Sequence, residues 1–292
     1  MLIGILDTSK SFLPEKFAYE KYLVKKNHKV IISKQINDLV LCDYIIMFAG
    51  LFVFYPKTKA KIIHDYASLS TPPFAKIKNF IKTKVSYKPY YRIFNSHYIK
   101  KKLNFNDNTP YLIRTAGLDD KFFFKKNSRI KKTNSIVYVG SILTRPGLDR
   151  CLLQLCKLKI TIKVAGKVNS KFIDKFKKFK NIKFVGILNQ ASLIKLYRQS
   201  TYGLNFIPDI SPWNRQHSLK LLEYCASNLK ILTNEYQFVR DFEKKNLARF
   251  LRIDNLNENK LSNFNFITPN VKNYKWQHLL RKINFEKIFK KN

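Results

Sequence analysis

The residues best suited to chemistry lie in one stretch, Ser218–Asn234, whose pattern predicts a capped helix followed directly by a strand. Ser218 is a typical helix N-cap, and Lys220 and Glu223 fall in the first two turns. A helix N-terminus carries unpaired N–H groups and partial positive charge, so it can hold a diphosphate. Glu223 has the reach to accept hydrogen bonds from sugar hydroxyls. The stretch therefore favours a nucleotide-sugar site, although an ordinary amphipathic helix of an α/β domain has the same pattern.

The composition is that of a globular protein with a strongly basic surface. The chain has 292 residues, 45% of them apolar, which is enough for two ordinary domains or one large one. Its net charge of +37 favours a polyanionic partner: nucleic acid, an anionic membrane surface or a phosphate-bearing substrate. The abundance of Lys, Asn, Ile, Phe and Tyr is also what an AT-rich genome produces, so part of the charge has no functional meaning.

Cysteine usage and apolar runs predict a cytoplasmic protein, with peripheral attachment to the inner face of the cell membrane as an alternative. The four cysteines form no C-x-x-C pair and lie among apolar residues, which favours reduced core residues: Cys42, Cys151, Cys156 and Cys225. The segment Met1–Asp7 reaches a charge too early for a signal peptide. The longest apolar run, Tyr44–Tyr55, is too short to span a bilayer.

Short β-type runs alternate with helical patterns, which favours parallel α/β layers. One series starts at Leu2 and a second near residue 134, and the polar segment Asp119–Thr133 lies between them. We therefore expect one domain over residues 1–118, a second over 119–270 and a terminal helix over 271–292. Glycines follow three predicted strands of the second series and would let the backbone approach a ligand: Gly140, Gly166 and Gly186.

Five segments carry motif-like patterns in a fixed order: Asn95–Ser96, Gly117–Asp119, Val137–Gly147, Asn181–Tyr197 and Ser218–Thr233. Together these segments resemble the GT-B glycosyltransferases, specifically the retaining family-four type, over roughly residues 90–290. The last one resembles that family's K-x-x-E-Y-x-A-x-G-x-P-V signature. The resemblance implies an α/β, GT-B fold: two Rossmann-like domains facing a cleft, with the C-terminal helix returning to the first domain. The first domain, short for this family, would take the acceptor.

The resemblance also implies an activity. The protein would move a sugar from a UDP- or GDP-linked donor to a glycan or lipid-linked acceptor, in surface polysaccharide or lipopolysaccharide synthesis. It would be a retaining, hexosyltransferase-like enzyme that needs no metal, and no cofactor other than the nucleotide-sugar substrate.

Donor-binding roles carry over by position. Glu223 would bind the ribose hydroxyls of the donor nucleotide. The loop before the helix and the helix start would present N–H groups to the diphosphate, at Gln216, His217, Ser218 and Leu219. Gly140, which follows a predicted strand, would lie at the donor.

Three residues would have catalytic roles. Lys220 and Arg145 would neutralise the departing nucleotide diphosphate, which carries the charge that develops in the transition state. His64, which we expect at the end of a first-domain strand beside Asp65, would lie near the donor sugar; the alternative is a capped surface histidine.

Arg215 departs from the family pattern. It stands eight positions before Glu223, where the family's E-x7-E motif has its first Glu, a residue that holds donor-sugar hydroxyls. Sugar specificity would then differ, or the chain would be a catalytically silent GT-B partner subunit.

A second predicted surface combines apolar and aromatic residues with the lysines that follow them: Phe48, Leu51, Phe52, Phe54, Tyr55, Lys57, Lys59 and Lys61. This pattern suits an anionic membrane surface, although the same residues could be core. A nucleic-acid-binding protein is the alternative from another class, and only the charge favours it, because the sequence has no Arg-rich stripe, zinc finger or recognition-helix pattern.

Overall fold

A computed structural model describes residues 1–7, 13–48, 54–123 and 132–290. The chain divides into two compact units. Unit 1 comprises Met1–Asp119 together with Tyr274–Asn292, and unit 2 comprises Asp120–Asn273. Each unit is built on one six-stranded sheet.

Strands alternate with helices through most of both units. Unit 1 contains β1 (Leu2–Leu6), α1 (Pro14–Val24), β2 (Lys29–Ser33), β3 (Tyr44–Phe48), β4 (Lys61–Tyr66), α2 (Ala75–Val85), β5 (Tyr91–Phe94), α3 (His97–Leu103) and β6 (Tyr111–Ile113). Unit 2 contains β7 (Thr133–Val139), α4 (Leu148–Leu155), β8 (Thr161–Ala165), α5 (Ser170–Asp174), β9 (Ile182–Gly186), α6 (Gln190–Gln199), β10 (Ser200–Asn205), α7 (Leu219–Ala226), β11 (Lys230–Thr233), α8 (Gln237–Asn246), β12 (Leu251–Arg252) and α9 (Glu258–Asn263). The last helix, α10 (Trp276–Lys282), belongs to unit 1.

Both sheets are parallel throughout the described residues. The strand order is β2-β1-β3-β4-β5-β6 in unit 1 and β12-β11-β10-β7-β8-β9 in unit 2. In unit 2 the chain leaves β7 towards β8 and leaves β10 towards β11, in opposite directions along the sheet. The loops after β7 and β10 therefore separate at the carboxyl edge, where open α/β sheets form a ligand crevice.

The C-terminal segment packs on unit 1, as expected. Trp276 and Leu280 of α10, with Phe285 beyond it, are buried in one cluster with Ile3 of β1 and Tyr19 of α1. Gly117 makes this contact possible, because a Cβ at that position would lie 2.3 Å from the Trp276 ring.

Within the described ranges, no helix has both the length and the apolar character needed to cross a membrane.

Candidate functional site

The site in unit 2 is organised by the N-terminus of α7. Ser218 caps this helix, since its Oγ accepts a hydrogen bond from the N–H of Leu221 at 3.4 Å. The backbone N–H of Leu222 donates to the Ser218 carbonyl. By helix geometry, the N–H groups of Leu219 and Lys220 then have no acceptor inside the helix. These are the N–H groups that we expect, from the sequence, to face a diphosphate.

A buried polar network fixes the position of this cap. The Ser218 Oγ donates to Oδ1 of Asn205, the last residue of β10, at 2.8 Å. The Asn205 amide in turn donates to Thr233 Oγ1 at 3.1 Å and to the Tyr236 hydroxyl at 2.8 Å. All three partners of Asn205 are buried. Because every polar atom of the Asn205 side chain is satisfied, the carboxyl edge of β10 and the start of α7 are held in one geometry.

Lys220 lies on the first turn of α7 and is half-buried. Its Nζ donates to the Phe206 carbonyl at 2.9 Å and lies 4.3 Å from the centre of the Tyr138 ring. Burial lowers the pKa of Lys220 well below its usual value, and the nearby positive charge of Arg145 lowers it further.

Arg145 brings a second cation to the same place from the loop after β7. Its guanidinium lies 5.2 Å from the centre of the Trp213 ring. Burial lowers the pKa of Arg145, and two of its nitrogens, Nε and Nη1, are buried without an acceptor among the described residues. Arg145 and Lys220 thus repel each other, and within the described part of the chain neither forms a salt bridge with a carboxylate. An anionic group bound beside them would relieve this repulsion.

Glu223 lies one turn further along α7 from Lys220. Burial raises the pKa of Glu223 from 4.5 to about 7, although the hydrogen bond from Tyr197 and the charge of Lys220 oppose this shift. The Tyr197 hydroxyl donates to Oε2 of Glu223 at 2.9 Å. The carboxyl group is therefore oriented by the protein and can accept hydrogen bonds from ligand hydroxyls.

The residues just before α7 lead into its N-terminus. Gln216 and His217 are half-buried in the turn that follows a 3₁₀ helix, Trp213–Arg215. The Gln216 Nε2 is buried without an acceptor among the described residues. The His217 ring packs edge-on against Phe238 at 5.3 Å between ring centres. Arg215, in the place of the family's first Glu, is exposed.

Gly140 ends β7 at the same edge of the sheet. Its φ of 133° is a conformation that glycine adopts readily and other residues avoid. A Cβ at Gly140 would meet only the Tyr138 hydroxyl, at 4.0 Å, so the backbone is accessible on that side. At Gly166 a Cβ would lie 2.2 Å from the Gly140 carbonyl oxygen, so a second glycine allows the two strand ends to approach.

His64 lies in unit 1 and is not part of this group. The prediction that it ends its strand is wrong, since β4 continues to Tyr66 and pairs His64 with Arg92 of β5. Its ring is fully buried, its Nδ1 lies 3.1 Å from the Tyr66 hydroxyl, and Tyr87 packs against it. Burial lowers the pKa of His64 to about 3, helped by the positive charge of Arg92. The imidazole is therefore neutral and in the core rather than on the surface, and its catalytic role stays a prediction.

Sequence reasoning missed the residues that hold the site in place. Tyr197 was part of a matched motif but was given no role, although it orients Glu223. Asn205, Trp213 and Tyr236 were not singled out. The available signal for Asn205 was its position as the only amide in the buried strand Ser200–Asn205, at the end where parallel sheets bind ligands. No group of three His, Cys, Asp or Glu side chains in the described ranges is placed to hold a metal ion.

The architecture matches solved structures over the whole chain. AviGT4, a glycosyltransferase involved in avilamycin A biosynthesis, has a TM-score of 0.66 at 8% sequence identity, with 99% of this chain and 97% of that one covered. Alr3699/HepE of Anabaena, solved in complex with UDP and glucose, has a TM-score of 0.62 at 10% identity and covers 98% and 90% of the two chains. The chain has the GT-B fold.

The GT-B fold also occurs in a neighbour with a different activity. The UDP-GlcNAc 2-epimerase of Methanocaldococcus jannaschii has a TM-score of 0.54 at 12% identity, covering 98% of this chain and 100% of that one. No protein-family model and no curated protein sequence matches the chain. At these identities the likeness concerns the fold, so the reaction has to be inferred from the residues.

Proposed function

We propose that the protein is a glycosyltransferase that takes a UDP- or GDP-linked sugar as donor and a glycan or lipid-linked molecule as acceptor. The observation that carries the proposal is the pair Arg145 and Lys220, two half-buried cations without a carboxylate partner among the described residues, beside the capped start of α7. A nucleoside diphosphate is a ligand that fits such a place.

Each part of a donor has a proposed partner. The first-turn N–H groups of α7 and the backbone at Gly140 and Gln216–Leu219 bind the diphosphate. Glu223 accepts hydrogen bonds from the ribose hydroxyls. The sugar extends towards Arg215, and a cation in place of a carboxylate favours a donor sugar with different hydrogen-bonding groups, for example an acidic one.

In the proposed reaction the bond between the sugar C1 and the diphosphate oxygen breaks while the acceptor oxygen forms a bond to C1 on the same face. The acceptor proton passes to the departing diphosphate. Arg145 and Lys220 stabilise the negative charge that builds up on the diphosphate, which is the role a metal ion has elsewhere. Retention of configuration, independence of metal and a part for His64 near the sugar are components of this proposal.

The acceptor and the location are proposed with it. A lipid-linked acceptor in surface polysaccharide or lipopolysaccharide synthesis would bring the protein to the inner face of the cell membrane, and its net charge of +37 suits an anionic leaflet.

The test is thermal unfolding of the purified full chain with UDP, GDP, ADP and free phosphate. A nucleotide at a hundred times its Kd stabilises a protein by about 2.7 kcal/mol, which raises the Tm of a unit of this size by roughly 5–10 °C. We expect UDP or GDP to do so and Glu223→Ala to abolish the shift. Absence of any shift with every nucleotide would refute the proposal.

Turnover distinguishes the remaining alternatives. Transfer or hydrolysis of a nucleotide-sugar would exclude a silent partner subunit. Interconversion of a UDP-sugar without an acceptor would instead favour an epimerase. Salt-dependent binding to generic DNA with no response to nucleotides would favour a nucleic-acid-binding protein.

A further inference from the structure

Helix α2 turns its apolar side towards solvent. None of its residues is buried. Its large apolar residues, with the residue just before it, are exposed by 42% to 71%: Phe74, Ile77, Phe80, Ile81 and Val85. Scattered single exposures of this kind are common, but five within twelve residues form a contiguous apolar surface.

The polar side of α2 faces the protein instead. Asn79 is half-buried, and its Oδ1 accepts a hydrogen bond from the backbone N–H of Ser70 at 2.9 Å. At 100° per residue, Asn79 and the half-buried Thr83 lie on the side of the helix opposite Ile77 and Ile81. This is the reverse of an ordinary surface helix, which buries its apolar stripe.

Lysines border the apolar surface. Lys76, Lys78 and Lys84 are exposed, and the Lys84 Nζ lies 5.9 Å from the centre of the Phe80 ring. The sequence contains no Asp or Glu between Asp65 and Asp107. Any partner of this helix therefore meets apolar side chains and positive charge together, with no acidic group of this segment to oppose them.

The end of α2 touches the other candidate surface. The Tyr87 ring, just beyond the helix, packs against the Tyr55 ring at 4.8 Å between centres. Phe54 beside it is 88% exposed. Of the segment predicted to be interfacial, Phe48 is a core residue, and Leu51 and Phe52 lie outside the described residues.

We propose that α2 is a membrane-docking helix that lies in the plane of an anionic bilayer. Its apolar side chains enter the headgroup region, and the bordering lysines contact acidic lipid headgroups. A second copy of the chain would bring lysines against lysines, and a nucleic acid would leave the phenylalanine and isoleucine side chains in water. An anionic lipid surface satisfies both features. Docking does not depend on the proposed sugar transfer, which it would serve by bringing a lipid-linked acceptor within reach.

The test is co-sedimentation of the full chain with vesicles of phosphatidylcholine, with and without phosphatidylglycerol. We expect binding that requires the anionic lipid and weakens with salt. The apolar variant I77S/F80S/I81S should weaken binding at least about tenfold. The charge variant K76Q/K78Q should weaken it roughly 25-fold at low ionic strength, since each lysine near an anionic surface contributes about fivefold.

Matched controls come from unit 2. Ile187→Ser removes an isoleucine that is 77% exposed, and K178Q/K180Q removes two exposed lysines. Both should bind vesicles within twofold of the unaltered chain. All α2 positions changed are exposed, so the variants should keep the Tm of the unaltered chain.

Three results would overturn the proposal: no binding to either vesicle, equal binding by the apolar variant and the Ile187→Ser control, or a dimer in sedimentation equilibrium that the apolar variant converts to a monomer. The UDP-induced Tm shift, measured on the same variants, separates this proposal from the catalytic one. A variant that loses vesicle binding but keeps the UDP-induced Tm shift has lost only the function of α2. If the chain binds vesicles but no nucleotide shifts its Tm, only the proposed donor site is refuted.

Discussion

The substitution Glu223→Gln should make the ligand-free protein more stable at neutral and alkaline pH while it removes nucleotide binding. Glutamine has the shape of the protonated glutamic acid and can still accept the hydrogen bond from Tyr197, which the structure places 2.9 Å from the carboxyl oxygen. It has no charge to bury. The cost of ionising Glu223 inside the site therefore disappears.

The expected size follows from the pKa. Burial raises the pKa of Glu223 from 4.5 to about 7 in the folded protein. Between these values the unfolded chain has released its proton and the folded chain still holds one, so the free energy of unfolding falls as pH rises. The slope from this group is about 1.4 kcal/mol per pH unit, and the total loss above pH 7 is about 3 kcal/mol. Below pH 4.5 Glu223 is protonated in both states and no longer changes the free energy of unfolding.

Urea unfolding of the unaltered chain and of E223Q, at intervals from pH 4.5 to 8.5, measures how the free energy of unfolding depends on pH. The two should converge at the acid end, and E223Q should be more stable by about 3 kcal/mol at pH 8. Glu235→Gln is the control of opposite sign: burial raises the pKa of Glu235, but hydrogen bonds from Arg252 and Arg240 outweigh it and lower the pKa. That variant should lose stability at neutral pH. A pH-independent difference between E223Q and the unaltered chain would refute the reasoning.

The same pKa predicts how nucleotide affinity depends on pH. If ribose hydroxyls donate to the Glu223 carboxylate, only the ionised form binds. With a pKa of about 7 the ionised fraction falls about tenfold from pH 8 to pH 6, and the apparent Kd rises by the same factor. Isothermal titration calorimetry with UDP at pH 8 and pH 6 measures this change in Kd. A Kd that is the same at both pH values would contradict the prediction.

Four further substitutions test the site and the fold. Arg145→Met should leave the Tm of the ligand-free chain unchanged or slightly higher, because a repulsive cation is removed, and should at least halve the Tm shift caused by UDP. Gly166→Ala should destabilise by more than about 2 kcal/mol in urea, since its Cβ would lie 2.2 Å from the Gly140 oxygen, whereas Gly186→Ala, with open space around it, should cost only about 1 kcal/mol. Asp65→Asn should cost about 3 kcal/mol in the same assay, because the buried Arg114 guanidinium, which donates to Asp65 at 2.9 Å, would then have only the longer 3.4 Å ion pair with Glu15.

Much of the secondary structure followed from sequence pattern, because buried parallel strands are nearly continuous apolar runs. Leu2–Leu6 and Tyr44–Phe48 are runs of this kind in the sequence, and both are strands in the structure. Elements that are very short or little buried were missed, such as β6 with three residues and α8, in which only two residues are buried. Their positions depend on neighbours far away in sequence.

The helix of the candidate site was predictable from the sequence, but the residues that hold that helix in place were not. Ser218 is the N-cap, as its residue type predicts, and Asn228 after the helix is left-handed with φ 54°, a conformation that asparagine tolerates better than most residues. The hydrogen bond from Tyr197 to Glu223 depends on how α6 and α7 pack, which no local pattern encodes. The predicted strand end at His64 was wrong for a related reason: a histidine next to an aspartate is typical of a strand end with a surface cap, but here Asp65 binds Arg114 and His64 is buried in the core.

Helix α2 and the α7 site both depart from the rule that apolar side chains are buried and charged ones are exposed. An ordinary surface helix buries its apolar side, but α2 instead exposes Phe80 by 62%. In unit 2, Arg145, Lys220 and Glu223 take charges into a half-buried space where burial opposes ionisation of each. Both arrangements reduce the stability of the isolated chain, and a bound partner would reverse each cost: a lipid surface for α2, a nucleoside diphosphate for the α7 site. Because such departures from the usual rules cluster at functional sites, binding should be sought first at these two places.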